Sequence, residues 1–280
     1  AGRRTCPFCP DSLAEFTPEF SREVAPEGRL RCGEACIIPN RLAFDKFCAV
    51  AVMTRRHYMP LDEFTATHFY DALSLAQVFL KRVIEVDPSI RFYSINWNYL
   101  PMSGGSVVHP HIQIIVGEFP TNVQRDMVAG ARHYQEDHRR NFWAELIEQE
   151  TNAGERFIGT VGTTVWLASF APRGFGDIMV VIRERSSIIA LSDSDIRDLA
   201  QGLVKVFRYF HDYNHYSFNM TLYSGEHGGD DSFWVNGRIV TRRFVPPMAA
   251  SDVNYFEKLH GEPLAYKRPE RLCVELRGYF

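Results

Sequence analysis

Two long amphipathic stretches, 130 residues apart, constrain the fold of this 280-residue chain more than any other feature. In the first, Asp62 offers an N-cap, and Phe69, Leu73, Ala76, Leu80 and Val83 recur at the three-to-four spacing of one helix face, which must end before Pro88. In the second, Ser192 and Asp195 have capping-box spacing, and Ile196, Leu199, Leu203, Val206 and Phe210 form the apolar face. A shift of 130 lays Phe69, Leu73, Ala76 and Leu80 onto Leu199, Leu203, Val206 and Phe210. A strand with a hydrophobe-Asn pair follows each helix, Ile95-Asn96 in one case and Phe218-Asn219 in the other. The pattern reads as duplication of a strand-helix-strand-strand unit, one copy in residues 1–150 and the other in 151–280. The expected class is α+β: two units joined edge to edge into one extended antiparallel sheet with helices packed on it.

The remaining segments fit this frame. Arg91 to Tyr99 alternates as a strand, and the proline-poor segment Thr121 to Glu150 reads as one or two exposed helices with His133 and His138 solvated. Strand character returns at Val165 to Phe170 and Ile178 to Ile182, with Ala171-Pro172-Arg173-Gly174 as the turn between them. Short helices are expected within Asp252 to Phe280. A net charge of −3 gives no electrostatic footprint for nucleic acid. Apolar runs such as Cys48 to Met53 are too short to span a bilayer, and the first residues carry no signal-peptide pattern, so the cytoplasm is the expected location.

Six cysteines in a chain this long do not make a disulfide scaffold. Cys6-Pro-Phe-Cys9 has three readings: half a zinc site, a redox motif, or two unrelated thiols. A redox motif wants a strand and helix around it, whereas Pro10-Asp11-Ser12 looks like a turn, which favours metal. The buried strand expected from Phe47 to Thr54 delivers His57, and with His109 the set Cys6, Cys9, His57 and His109 matches a structural, tetrahedral zinc site. Cys32 and Cys36 form a wider pair that reads as free thiols, and Cys48 and Cys273 as small core residues.

The stretch Ser103-Gly104-Gly105-Ser106-Val-Val-His109-Pro110-His111-Ile112-Gln113 carries the densest chemistry. Read as a strand from Val107 to Val116, it sets His109, His111 and Gln113 on one face. A His-x-His pair is often structural or metal-binding. Here a neutral imidazole beside an amide donor also suits nucleophilic attack on phosphorus, and the glycines would let main-chain N–H groups approach an anion. The Gly-Lys-Ser/Thr of a Walker loop is absent.

With Asn98 eleven residues ahead of His109, this segment resembles the signature of the galactose-1-phosphate uridylyltransferase family, the nucleotidyltransferase branch of the histidine-triad superfamily. The resemblance runs from Cys6 to about Arg277. It implies that His111 carries the nucleotidyl group, that Gln113 stabilises the intermediate, and that Asn98 and Ser106 contact its phosphates. It further implies structural zinc on the four ligands above and a homodimer. The reaction it implies is ping-pong transfer between a nucleoside diphosphate sugar and a sugar 1-phosphate. Phosphorolysis or hydrolysis of such a donor is a rival, although hydrolases of the superfamily favour a third histidine where Gln113 stands. A zinc-stabilised nucleotide-binding protein without turnover is a rival of another class. The chain departs from the family at Ile112, usually Gly, and at Thr241, Arg242 and Arg243, where some members carry a His-x-His for a second metal. That second site is expected to be absent, with the arginines either binding phosphate or simply exposed. Only Ala1 to Arg4 precede the cysteine pair where the family carries substrate-holding arginines, and no counterpart of the family's sugar-contacting glutamine stands around His260 to Leu264.

Overall fold

Apolar residues cover one face of the strands throughout and the other face in two patches, and antiparallel pairing joins the strands into one main sheet. The computed structural model describes residues 6–245 and 250–280; the Ala1 to Arg4 tail and Pro246-Pro247 lie outside the described residues. The first half contributes β1 (Leu30–Cys32), β2 (Ala35–Pro39), β3 (Phe47–Val52), helix α2 (Ala66–Val86), β4 (Phe92–Tyr99) and β5 (His111–Gly117), after a short N-terminal helix α1 (Pro10–Phe16). Helices α3 (Asn122–His138) and α4 (Phe142–Ala153) lead to the second half. This comprises β6 (Phe157–Val161), β7 (Thr164–Ala168), β8 (Phe175–Ile182), α5 (Asp193–Asp212), β9 (Ser217–Tyr223) and β10 (Asn236–Arg242). A two-stranded ribbon, β11 (Phe244–Val245) with β12 (Ala250–Ser251), and helix α6 (Pro269–Arg277) close the chain.

Among the described residues the main sheet has ten strands in the order β1-β2-β3-β5-β4-β9-β10-β8-β7-β6. Read inward from either edge, the two halves have the same order, so the duplication read from the helices is written in the topology. The halves meet at β4 and β9, paired from Ser94 opposite Tyr223 to Tyr99 opposite Phe218.

Helices α2 and α5 lie together on one face. Beneath them Tyr93, Ile95, Trp97 and Tyr99 of β4 and Phe218, Met220 and Leu222 of β9 are buried in one core that both halves share. Aromatic rings knit it across the seam: Phe64 meets Phe207 at 5.6 Å and Trp97 meets Phe218 at 5.2 Å between ring centroids. Capping follows the sequence at α5, where the Ser192 hydroxyl accepts from the Asp195 N–H and the Asp195 carboxylate from the Ser192 N–H.

Three local expectations need correction. The cap of α2 is Thr65, whose N–H donates to His68 Nδ1 at 3.1 Å, and Asp62 lies instead in a single 3₁₀ turn, Leu61–Glu63. Leu61 and Phe64 are both buried, and this anchoring delays the helix until the chain has passed Phe64. Pro10-Asp11-Ser12 opens α1 rather than a turn, since Pro at the first helical position lacks only an N–H that would have no helical partner. The strand expected from Val107 begins at His111 because Pro110 has no N–H for the ladder.

The opposite face is covered in two patches. At one end Leu13 of α1, with Phe8, packs on Cys36, Ile38, Val50 and Val52. At the other, Val128 and Ala131 of α3 and Trp143 and Ile147 of α4 pack on Val165, Leu167, Met179 and Val181. Among the described residues no helix is long and apolar enough to cross a membrane.

Gly202 lets α5 approach the sheet closely at β7. A Cβ there would stand 2.2 Å from the fully buried Trp166 ring of β7. Helix propensity alone favours alanine by about 1 kcal/mol, but the indole has no room to move. Gly202→Ala should therefore lower unfolding stability by about 1–3 kcal/mol. A urea titration checks this, and a variant as stable as the parent would refute the close packing.

Candidate functional site

The sheet's second face carries a polar strip between its two covered patches. One row of directly opposed residues crosses six strands: Val50, Gln113, Asn96, Thr221, Arg238 and Met179. Its ends are apolar and its middle polar. In the neighbouring row Val52 opposes His111 and Asn98 opposes Asn219. Carrying the β4–β5 register two residues past Asn96 and Gln113 brings His111 beside Asn98. Residues two apart share a strand face, so His111 and Gln113 face the same side, as the sequence predicts. His109 does not belong to that strand; it stands in the loop ahead of it.

His111 is 7% exposed and lies edge-on to the Phe8 ring at 5.1 Å. Its Nδ1 is 2.7 Å from the His109 carbonyl oxygen. A carbonyl can only accept, so Nδ1 carries the proton and the lone pair sits on Nε2. Burial lowers the His111 pKa, partly offset by this hydrogen bond, and favours the neutral ring. The hydrogen bond thus sets the tautomer of the neutral imidazole, with its lone pair on Nε2.

His109 is fully buried. Its Nε2 donates to the Thr54 carbonyl at 2.7 Å, which turns Nδ1 toward Cys6 Sγ at 3.8 Å and Cys9 Sγ at 3.7 Å. Cys9 Sγ lies 3.5 Å from His57 Nδ1. One ligand atom from each of Cys6, Cys9, His57 and His109 falls within 4.8 Å of the others. In a tetrahedron with metal–sulfur bonds near 2.3 Å and metal–nitrogen bonds near 2.0–2.1 Å, adjacent sulfur and nitrogen ligands are about 3.6 Å apart. The separations match that edge, and two thiols with two imidazoles are a donor set that could hold a metal ion. Burial of His109 pushes its pKa down to about 4, leaving the ring neutral as a ligand must be.

The loop from Leu100 to Ser106 is tighter than the sequence suggested. Leu100 has φ of 69°, a strained value for a side chain of that size. The Gly104 and Gly105 N–H groups donate to the Pro101 and Leu100 carbonyls, and the Ser103 hydroxyl lies within hydrogen-bond reach of the Tyr99 and Leu100 carbonyls. These groups hold the turn in this structure. A Cβ at Gly105 would stand 2.8 Å from the Asn98 carbonyl oxygen, so glycine permits the loop to fold back on β4. Ser106 is exposed beyond the turn.

Several residues of the strip went unassigned in the sequence. Asn219 Nδ2 donates to Asn98 Oδ1 at 2.7 Å and to the Ser103 carbonyl at 2.8 Å. Arg238 donates to Asp177 at 2.5 Å beneath the β7–β8 turn. Arg242 makes a two-pronged pair with Asp252, so those prongs are already held and do not stand open to phosphate; Arg243 is exposed. Thr241 donates to the Phe175 carbonyl. The hydrophobe-Asn repeat singled out Asn96 and Asn219 but gave no sign of their placement beside the motif. An apolar cavity of about 380 Å³ between α3, α4, β7 and β8 contains none of the motif residues.

Metal retention is directly measurable. Cys9→Ser should lose the metal that purified wild-type protein retains, as read by elemental analysis, and should melt several degrees lower. Equal metal content in the two proteins would exclude the cluster as a metal site.

No family model matches the chain. A protein of Archaeoglobus fulgidus, itself uncharacterised, is 34% identical over 280 residues, covering 98% of this chain and 81% of its own length. Among solved structures, an ADP-glucose phosphorylase from Arabidopsis thaliana with bound ADP-glucose superposes with a TM-score of 0.81 at 17% identity, covering 98% of this chain and 89% of that one. A GalT-like protein from the same plant gives 0.81 at 18% identity, with 98% and 92% covered. A uridylyltransferase mutant gives 0.81 at 16%, with 99% and 91% covered. The chain belongs to one family with the A. fulgidus protein, and its fold is the uridylyltransferase fold that the His109-to-Gln113 signature predicts.

Proposed function

We propose that the protein is a nucleotidyltransferase that moves a nucleoside monophosphate from a nucleoside diphosphate sugar to a phosphorylated acceptor through a covalent intermediate on His111. The observation that carries this reading is the fixed tautomer. With Nδ1–H held by the His109 carbonyl, Nε2 presents a lone pair on the sheet face that also bears Gln113 and Asn98.

In the first half-reaction the Nε2 lone pair attacks the α-phosphorus, and the bond from that phosphorus to the bridging oxygen breaks. The leaving sugar 1-phosphate takes the electron pair. The imidazole becomes cationic, and the His109 carbonyl stabilises the charge through Nδ1–H. The amides of Gln113 and Asn98 donate to the non-bridging oxygens as charge builds there. In the second half-reaction an acceptor phosphate oxygen attacks the same phosphorus, the P–N bond breaks, and the pair returns to Nε2.

Zinc is the metal that suits Cys6, Cys9, His57 and His109. A closed four-ligand site leaves no position for substrate, so the role is structural: it fixes His109, whose carbonyl in turn holds His111. Inorganic phosphate as acceptor is a second reading, favoured by the similarity to an ADP-glucose phosphorylase over 98% of the chain. The working form in this reading is a homodimer, as the family resemblance implies, in the cytoplasm, as the composition suggests.

Intact-mass spectrometry after incubation with UDP-, ADP- and GDP-sugars, quenched in base, should show a gain of one nucleoside monophosphate that His111→Ala abolishes. Adding glucose 1-phosphate or galactose 1-phosphate, and separately inorganic phosphate, should discharge the adduct and identify the acceptor. A zinc-replete protein that forms no adduct with any donor would refute the covalent reading. Gln113→Ala should form the adduct about 10²–10³ times more slowly if its amide donates in the transition state.

A further inference from the structure

We propose that Asn219 and Arg242, both in the second half of the chain, are positioning residues that set the orientation of the Asn98 amide in the first half's site. The proposal rests on the nucleotidyl-transfer reading above and extends it to residues outside the motif.

The orientation follows from two groups whose hydrogen-bonding roles are not interchangeable. A guanidinium only donates, and Arg242 Nη1 lies 3.3 Å from one end of the Asn219 amide, so that end is the oxygen. A backbone carbonyl only accepts, and the Ser103 carbonyl lies 2.8 Å from the other end, so that end is the nitrogen. With one Nδ2 proton on Ser103, the second goes to Asn98, 2.7 Å away, and Asn98 must present its oxygen there. Nδ2 is then the end of the Asn98 amide left to meet an anion. Had the amide turned over, it would offer phosphate a lone pair.

The far end of the chain of bonds is anchored. Arg242 reaches both carboxylate oxygens of Asp252, at 3.0 Å from Nε to Oδ2 and 2.5 Å from Nη2 to Oδ1. Both side chains are largely buried, Arg242 to 15% exposure and Asp252 to 5%. Donation from Arg242 polarises the Asn219 amide, which polarises that of Asn98, so each bond strengthens the next. The bond to the Ser103 carbonyl also ties Asn219 to the loop that precedes the motif. The second half, which lacks a His-Pro-His of its own, thereby supplies the support for the half that has one.

The test is a double-mutant cycle on the rate of adduct formation with UDP-glucose and ADP-glucose, in zinc-replete protein of matched melting temperature. In Asn219→Asp the carboxylate accepts from Asn98 Nδ2 and turns the amide over, so the rate should fall by about ten- to a hundredfold. Asn219→Ala leaves the amide free to rotate and should lose less, whereas a merely space-filling role predicts the reverse order because aspartate is isosteric. In an Asn98→Ala background, Asn219→Asp should cost nothing further. Equal loss in both backgrounds would show that Asn219 acts by its own charge or on the fold, and would overturn the proposal. So would an Asn219→Asp chain as fast as wild type, with the nucleotidyl-transfer reading left standing. Absence of an adduct in the wild type overturns that reading and this proposal with it.

Discussion

The pairing of β4 with β9 is the interaction on which the rest of the molecule depends. Each half supplies five strands and one long helix, and each taken alone would leave its innermost strand with a row of unmatched N–H and C=O groups. Joining the two innermost strands satisfies those groups and sets α2 against α5. It also lets Trp97, Phe207 and Phe218 share one core. On the other face the same seam brings Asn98 opposite Asn219. A single register therefore determines both the packing on one side and the polar strip on the other.

The polar strip on the sheet's second face is where the candidate residues converge. The apolar patches under α1 and under α3 with α4 flank it, and its middle is lined by amides, an imidazole and a hydroxyl. His111 opens its strand directly after a proline, where the chain leaves the ladder and the backbone carbonyl of His109 can turn toward a side chain two residues on.

Much of this was legible in the sequence because periodicity records burial. The helix faces and their repeat at 130 residues gave the duplicated architecture, and the spacing of two cysteines and two histidines gave the cluster at Cys6, Cys9, His57 and His109. Local signals failed where long-range packing competed with them. Asp62 is a good cap in isolation, yet burial of Leu61 and Phe64 moved the helix start to Thr65. Nothing in the sequence signalled that the Gly104 and Gly105 N–H groups close a turn on Pro101 and Leu100. The repeat marked Asn219 and the departure from the family marked Arg242, but their link to Asn98 arises only when β9 and β10 pair beside β4, more than a hundred residues away in the chain.

The cysteine pair has a consequence for the order in which the molecule becomes complete. Cys6 meets His109 across 103 residues and Cys9 meets His57 across 48, so the cluster closes the longest loops in the first half. Closing such loops costs chain entropy before any bond repays it. Strands β1, β2, β3 and β4 and helix α2 all lie between Cys6 and His109, and their assembly brings those ends together. The cluster is thus a latch and not a nucleus. Phe8, carried between the two cysteines, reaches the edge of the His111 ring when the latch shuts, so the surroundings of that imidazole are completed by the cysteine segment.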